Sequence, residues 1–571
     1  MSKKKSKSDK TEKAIAHDAD EELATEAKPS KVVAKATAEQ EAEAKAAKDA
    51  EEREAEAKKA AAKEAEEREA EAKRAAKAAA KEAEEREAEA KRAAKAAAKE
   101  AEEREAEAKK AAKAAAREAE EREAEAKKAA AKSSSKGAPA VKAGSKRRAV
   151  VVGGMRTPFV RAFSEFTKLD TIALGVLATK ALLEKFDIPR NEIDSIIWGG
   201  VIFPPTAPNL AREIALDLKL PAHVEGMTCT RACASGLQAV TLAAAAIERG
   251  EADVVIAGGS DSTSNASLTF PTKMTHLLAP LALGKGPTPA DILGVLAQMV
   301  PLSEVLPSQP KISERTTGEV MGESAEKMAK RNGITRQDQD EFAVRSHQRA
   351  ARAVESGRFA DEIVPVKTRE GAWVHTDRIV RGDTSVARLS KLRPAFAADG
   401  TVTAGNASAL TDGAAAVLLM SEEKAKALGY APLAAFRSWA YSAVDPSDQL
   451  LIGPALAMPK ALDRAGVGLS DIDMVDMHEA FAAQVLSVLK MLGSSSFARE
   501  RLGRDKAIGE VSTDILNLHG GSLALGHPFG ATGARMVTTV ANELSQGKRE
   551  LALLGICAAG GLGAAAVMEA L

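Results

Sequence analysis

Thr228-Cys-Thr-Arg-Ala-Cys-Ala-Ser-Gly-Leu-Gln-Ala239 leads into an alanine-rich run, Val240 to Ile247, then Arg249-Gly250 and the β-branched stretch Asp253-Val-Val-Ile-Ala-Gly-Gly259. A run of helix formers closed by glycine and followed at once by a short apolar stretch is one helix-to-strand step. The step recurs near the C-terminus, where His527 opens a segment that ends at Gln546-Gly547 and runs into Glu550-Leu-Ala-Leu-Leu-Gly555. A second correspondence accompanies it: Ala181 to Asp194 followed by Ser195 to Trp198 resembles Ala461 to Asp473 followed by Met474 to Met477. The compact part of the chain therefore reads as two copies of one α/β unit in a layered fold. Their matching loops should face each other, where such folds place ligands. Between the copies lies an insertion at about 268–393, with prolines at 271, 280, 287, 289, 301, 307 and 310, that is expected to cover the site. Within it Ala290 to Val300 is a strongly apolar helix, which suits either ordinary core or a surface that meets a membrane or a partner.

Composition bounds the rest. The 571 residues exceed one domain, and 81 basic residues balance 81 acidic ones, which speaks against a nucleic-acid partner held by phosphate neutralisation. The three cysteines, Cys229, Cys233 and Cys557, have no metal-ligand spacing and suit free thiols in a reducing cytoplasm; no metal is expected. The basic start lacks the apolar core of a secretory signal, and no run is apolar for long enough to span a bilayer. We expect disorder over 1–36. Over 37–132 the chain is nearly all Ala, Glu, Lys and Arg, and Lys-Glu-Ala-Glu-Glu-Arg-Glu-Ala-Glu-Ala-Lys recurs from Lys63, Lys81 and Lys99 and, with Arg first, from Arg117. That period predicts a single exposed helix of roughly 140 Å, without the Leu, Ile or Val seam of a coiled coil. It is either a spacer or an arm for a partner. A flexible basic linker follows at 133–148, then an N-terminal half at 149–421 and a C-terminal half at 422–571.

Cys233 is the candidate nucleophile. A thiol before a helix N-terminus has its thiolate favoured by the partial positive charge there, and Ala234, Ser235 and Gly236 are small enough to admit a substrate. The plainer reading of a cysteine among alanines is a small buried hydrophobe. Three further loops argue for chemistry: Gly405-Asn-Ala-Ser-Ala-Leu-Thr-Asp-Gly-Ala-Ala-Ala416, Met477-His-Glu-Ala-Phe-Ala-Ala-Gln484, and Gly520-Gly-Ser-Leu-Ala-Leu-Gly-His-Pro-Phe-Gly-Ala-Thr-Gly-Ala-Arg535, with Cys557-Ala-Ala-Gly-Gly-Leu-Gly563 after the last.

A nucleophilic Cys, two His in Gly- and Ala-rich loops and a second Cys before glycines resemble the thiolases, the 3-ketoacyl-CoA thiolase and acetyl-CoA acetyltransferase family. The resemblance covers about Arg147 to Leu571 and includes Arg156-Thr-Pro158 and Met321-Gly-Glu-Ser-Ala-Glu326. It implies an αβαβα layered fold of duplicated halves and acyl transfer through a thioester on Cys233. By the same resemblance His527 activates Cys233 and donates to the first oxyanion, and Cys557 moves the proton at the α-carbon. His478, where many thiolases have Asn, would hold a water of that oxyanion hole. Backbone N–H groups of Cys233 and Ala559 would form the other hole. Many relatives have Gly at the Ala559 position, so the alanine fits only where the backbone does not need glycine's left-handed angles. Gly526 in the Gly-His-Pro loop and Ser408, at a position that contacts the pantetheine arm, would bind substrate. CoA is then substrate or product, with no permanent cofactor. The His-Glu-Ala-Phe variant and the apolar insertion look most like the thiolase subunit of the fatty-acid β-oxidation trifunctional complex and its bacterial relatives. That likeness implies a homodimer or tetramer and a hydratase/dehydrogenase subunit as partner. The alternatives are an acetoacetyl-CoA-forming biosynthetic thiolase, a ketosynthase-like condensing enzyme, or a tether whose thiolase core is incidental.

Overall fold

The computed structural model describes residues 147–283, 288–299, 301, 305–307 and 312–571. The expected disordered start at 1–36, the repeat helix at 37–132 and the linker up to residue 146 lie outside the described residues. The first run of elements is β1 (Ala149–Arg156), β2 (Val160–Arg161), α1 (Thr171–Lys185), β3 (Ser195–Gly199), α2 (Leu210–Asp217), β4 (Glu225–Cys229), α3 (Ser235–Glu248) and β5 (Val254–Ser262). The insertion holds α4 (Thr272–Leu283), α5 (Pro289–Gln298), α6 (Met321–Asn332), α7 (Arg336–Glu355) and the short hairpin β6 (Val366–Lys367) and β7 (Trp373–Val374), after which β8 (Thr411–Ser421) rejoins the sheet. The second run is β9 (Ala434–Ala443), α8 (Gly453–Ala465), β10 (Met474–Met477), α9 (Ala482–Leu492), α10 (Gly530–Leu544), β11 (Leu551–Ala558) and β12 (Leu562–Ala570).

The sequence repeat is a structural repeat. One set of strands runs β4-β3-β5-β8-β1 and the other β10-β11-β12-β9. In the first, β3 is parallel to β4 and β5 while β8 is antiparallel to β5 and β1; in the second, β10 is parallel to β11 while β12 is antiparallel to β11 and β9. Val475 also makes a parallel bridge with Leu516, where a counterpart of β4 would stand. The edges β1 and β9 pair antiparallel, Val150 with Ala435 and Val151 with Ala434, so the two sets form one continuous ladder. Matching carboxylates mark the duplication. Asp194 accepts the N–H groups of Asp253 and Val254 at 2.6 and 2.9 Å, and Asp473 accepts those of Glu550 and Leu551 at 2.8 and 3.1 Å.

Strand alternation sorts side chains into layers. Val150, Val254, Ile256 and Leu418 pack with Leu174 and Leu182 of α1 and Ile214 of α2 on one outer face. Their neighbours Val151, Val255, Ala257 and Val417 turn inward onto α3 and α10, which also receive Ala552, Leu554 and Ala566 from the second set. Leu553, Val567 and Val475 point to the other outer face, against Met458 and Leu462 of α8 and Val485 and Val488 of α9. The order is helices, sheet, α3 with α10, sheet, helices, as the αβαβα expectation requires. The central pair crosses very closely. A Cβ on Gly533 would lie 2.2 Å from the Leu237 nitrogen, and one on Gly236 2.3 Å from the Gly530 oxygen, so only glycines allow this approach. The crossing sits at the N-terminal ends of both helices, and it brings together the loops that precede them.

The insertion is fixed to the sheet by Arg156 at the end of β1. Its buried guanidinium makes paired bonds of 2.7 and 2.8 Å to Asp377, stands 3.9 Å from Glu362, and lies over the Phe159 and Phe359 rings. Arg156→Met leaves the buried Asp377 carboxyl without its guanidinium partner. Since breaking one partner of a buried pair costs about 3–5 kcal/mol, thermal unfolding of this variant is expected at a clearly lower temperature, with the insertion protease-sensitive first. Unchanged melting would refute the clamp.

Of the two readings open for the apolar helix at 290–300, ordinary core is overturned. None of the residues of α5 is buried, and Ile292, Leu293 and Leu296 are 44%, 70% and 55% exposed. The helix has the composition of a core element, but packs on α4 and leaves its apolar stripe outside. Leu293→Ser with Leu296→Ser is therefore expected to leave the melting temperature within about 1 °C of the parent, because exposed substitutions stay within about 0.5 kcal/mol. A drop of several degrees would contradict this. Among the described residues, no helix is long and apolar enough to cross a membrane.

Candidate active site

Cys233 sits in a tight turn between β4 and α3. Ala232 before it takes φ +45°, a left-handed angle that costs a non-glycine residue energy and is held here by its surroundings. The holder is Ser235, whose hydroxyl accepts the Arg231 N–H at 2.8 Å and donates to the Ala232 carbonyl at 2.6 Å. Ala234, Ser235 and Gly236 are all buried, which corrects their expected role. They do not line an approach for substrate; their small size lets the turn fold and lets α3 press against α10.

The crossing carries His527, from the loop before α10, to Cys233, and the end of β10 carries His478 to both. The Cys233 sulfur and one ring nitrogen from each histidine lie within 4.8 Å of one another. The two imidazoles stand 4.1 Å apart, centre to centre. Each ring is held from behind through Nδ1, His478 by Ser522 Oγ at 2.9 Å and His527 by Thr532 Oγ1 at 2.6 Å. Nε2 of both rings is buried with no hydrogen-bond partner among the described residues. Two unpartnered ring nitrogens beside a thiol are costly for folding alone, and such groups concentrate where chemistry is done.

Burial sets the protonation states. It pushes the Cys233 thiol up to about 12, outweighing the N–H groups of Ala559 and of Cys233 itself that favour the thiolate. It also pushes His527 down to about 3, helped by the nearby Arg535 charge, and holds His478 well below the usual imidazole range. At neutral pH burial therefore favours a thiol beside a neutral imidazole, and it opposes the pull of the helix end toward the thiolate. Cys557, at the end of β11, is fully buried, and its thiol is held well above the usual range by burial and by the neighbouring Cys233 charge. Cys229 stays outside this group, its sulfur 3.9 Å from the Ser235 carbonyl.

The remaining expected positions fall around this centre. Ala559 is not among the residues with left-handed φ; Gly560 and Gly561 at +82° and +68° take that turn, so the alanine keeps its N–H without strain. Gly526 takes φ +102°, and a Cβ there would meet Ile379 and Thr411 at 2.9 Å. Ser408 is half-buried on a strand-like contact with the His478 loop, its N–H donating to the Ala480 carbonyl at 2.9 Å.

Several supports escaped the sequence reading. Asp261 accepts N–H groups from Ile202, Val201 and Gly530 at 2.6, 3.0 and 2.7 Å, tying the loop after β3 to the start of α10. Burial pushes its carboxyl up to about 7. Glu479, next to His478, accepts Ser346 at 2.6 Å, Asn517 at 2.7 Å and the Leu523 N–H at 3.2 Å. Asp476 pairs with Arg535 at 3.1 Å, the cation whose charge acts on both imidazoles, and Thr411 accepts the His527 N–H at 2.8 Å. The insertion does reach the site, through Ser346, through Ile379 at Gly526, and through Glu314, which accepts the Gly560 N–H at 3.0 Å. Ser522 and Thr532, which orient the rings, stand five residues before and after His527, the second in the first turn of α10, and the dense Gly, Ser and Thr composition there was the only signal.

The chain is similar to known proteins over most of its described length. Residues 149–423 match the family model described as thiolase, N-terminal domain, and 430–570 the one described as thiolase, C-terminal domain. A 3-ketoacyl-CoA thiolase of Aliivibrio fischeri is 46% identical over 424 residues, covering 74% of this chain and 95% of that relative. A 3-ketoacyl-CoA thiolase of Yersinia pestis is 45% identical over 426 residues, covering 74% and 97%. Among solved structures, the acetyl-CoA acetyltransferase of Bacillus anthracis superposes with a TM-score of 0.62 at 32% identity, covering 75% of this chain and 99% of that one. Human mitochondrial 3-ketoacyl-CoA thiolase does so with a TM-score of 0.62 at 30% identity, covering 74% and 99%.

Proposed function

Because this chain belongs to the thiolase family, an acyltransferase family that acts on acyl-CoA and CoA, we propose that it cleaves longer-chain 3-ketoacyl-CoA in fatty-acid β-oxidation, with Cys233 carrying the acyl group. The observation that carries the assignment of roles is the Cys233 sulfur within 4.8 Å of a nitrogen of each imidazole, with both Nε2 atoms buried and unbonded among the described residues. The Thr532 hydroxyl accepts Nδ1–H of His527, which leaves the Nε2 lone pair to take the Cys233 proton as sulfur attacks the keto carbon. The imidazolium so formed donates to the developing oxyanion. His478 Nε2 accepts one hydrogen of a water whose other hydrogen completes that hole. Cys557 protonates the departing α-carbon. CoA then attacks the thioester, its thiol proton passing to the Cys557 thiolate while the Cys233 sulfur leaves and regains its proton from His527; the thioester oxygen is held by the N–H groups of Cys233 and Ala559, and Ser408 and Gly526 border the pantetheine arm. No permanent cofactor takes part in this sequence.

Chain-length preference rests on the His-Glu-Ala-Phe variant, on the apolar insertion and on the 3-ketoacyl-CoA thiolase names of the relatives. By the same likeness we place the enzyme in the cytoplasm as a homodimer or tetramer that associates with a hydratase/dehydrogenase subunit, with a first half at 149–421 and a second at 422–571. The test is CoA-dependent cleavage across acyl lengths by the full chain. Turnover that rises from C4 to longer 3-ketoacyl-CoA supports the reading; a preference for acetoacetyl-CoA would favour the biosynthetic alternative, and no thiolysis at any length would favour a tether.

A further inference from the structure

We propose that Cys233, His478 and His527 form a binding site for a soft divalent metal ion, zinc above all, which occupies the site reversibly and shuts off the nucleophile. The set meets the requirements of such a site one by one. Its three donor atoms are a sulfur and two imidazole nitrogens, the ligands zinc prefers over oxygen donors. They lie within 4.8 Å of one another, against roughly 3.3–3.7 Å for ligands on a tetrahedral ion with ordinary zinc–nitrogen and zinc–sulfur bonds. Closing that gap takes side-chain movements of about 1 Å. Both Nε2 atoms are buried and unpartnered, so an ion there displaces no protein hydrogen bond.

The second shell is also in place. Metal-bound histidines hold their other ring nitrogen in a hydrogen bond that fixes tautomer and orientation, and here Ser522 and Thr532 do so at 2.9 and 2.6 Å. A hydroxyl accepting Nδ1–H turns the Nε2 lone pair toward the centre. Three protein ligands leave a fourth position open for water. Among the described residues this is the one group of three or more His, Cys, Asp or Glu side chains close enough to share an ion. It depends on His478: an asparagine at this position offers a weak amide oxygen, so the imidazole here creates the third soft ligand.

Coordination balances simply. The Cys233 S–H bond breaks, its proton passes to solvent, and a sulfur–metal bond forms with no change of oxidation state. A sulfur committed to the ion cannot attack a keto carbon, and His527 cannot accept its proton. Zinc occupancy is therefore inhibitory and is relieved by a chelator. The inference needs only the ligand set, and would stand if the acyl-transfer roles were assigned otherwise.

The experiment is a titration of the full chain with Co²⁺, followed by absorption, then competition with Zn²⁺. One Co²⁺ per chain should give the intense visible bands of a four-coordinate ion together with a sulfur-to-cobalt charge-transfer band, all abolished by Zn²⁺. Cys233→Ser should remove the charge-transfer band. His478→Asn should weaken binding by at least about 10-fold, and Thr532→Val by about 10–100-fold, the usual worth of an outer-shell partner. Wild-type protein alkylated at Cys233 by iodoacetamide, with its adduct located by mass spectrometry and its melting checked, must also lose the band, which removes any dependence on a variant's folding. Zinc should slow that alkylation at least 10-fold, and EDTA should restore it. A charge-transfer band that survives alkylation of Cys233, no such band at up to about 100 µM Co²⁺, or affinity unchanged in His478→Asn would overturn the proposal.

Discussion

Cys557→Ala is expected to lower 3-ketoacyl-CoA thiolysis by a factor on the order of 10²–10⁴, the usual worth of a positioned general acid or base, while acyl exchange between acetyl-CoA and labelled CoA continues at a substantial rate. The argument is a matter of which carbon changes its protonation. Thiolysis releases an enolate that must gain a proton, whereas exchange makes and breaks only thioesters. Cys557 stands at the end of β11 with its thiol held protonated by burial and by Cys233, which is the state an acid needs before it donates. Rates of both reactions for parent and variant, measured on the same preparation, decide the point. Equal losses in the two would make Cys557 a packing residue, and unimpaired thiolysis would bring forward a ketosynthase-like mechanism.

A second substitution has a larger effect. Cys233→Ala is expected to abolish thiolysis and exchange alike, because both pass through the same thioester and the variant offers no other sulfur within the cluster. Its folding should be nearly unchanged, because alanine keeps the Cβ and the turn is held by the bonds of Ser235. Retained exchange in this variant, with a normal melting curve, would remove the nucleophile from the account.

The two halves were legible because the repeat is local. A helix ending in Arg249-Gly250 before β5 and one ending near Gln546-Gly547 before β11 each carry their own punctuation, and strand alternation then fixes which side chains face α3 and α10. Cys233, His478, His527 and Cys557 were picked out by glycine- and alanine-rich loops taken together with the thiolase resemblance, and the structure brings the first three within 4.8 Å of one another. What stayed hidden depends on partners far apart in sequence. The pairing of β1 with β9 joins residues near 150 to residues near 435, and nothing within either strand specifies the other. Asp261 follows the apolar run that ends at Gly259 and carries no signal of its own; only the approach of Gly530, bonded at 2.7 Å, makes it a support of the site. Arg156 was part of a recognisable Arg-Thr-Pro motif, but its buried bonds to Asp377 span the whole first half.

The burial around Cys233 was hidden for a related reason. A helix end is visible in the sequence, whereas desolvation is the sum of everything that packs around the sulfur, and here the sum is larger. The same gap explains α5. Its apolar composition is a local property, but whether anything covers it depends on the rest of the fold, which leaves Leu293 and Leu296 in the open.

Intact-protein and peptide mass spectrometry of the full chain, quenched in acid after mixing with a 3-ketoacyl-CoA in the absence of free CoA, bears most directly on the central claim. The account predicts one added acyl group per chain, two carbons shorter than the substrate, located on the peptide containing Cys233 at that residue, and discharged when CoA is supplied. An adduct on Cys229 or Cys557, or turnover with no covalent acyl group on Cys233, would contradict it.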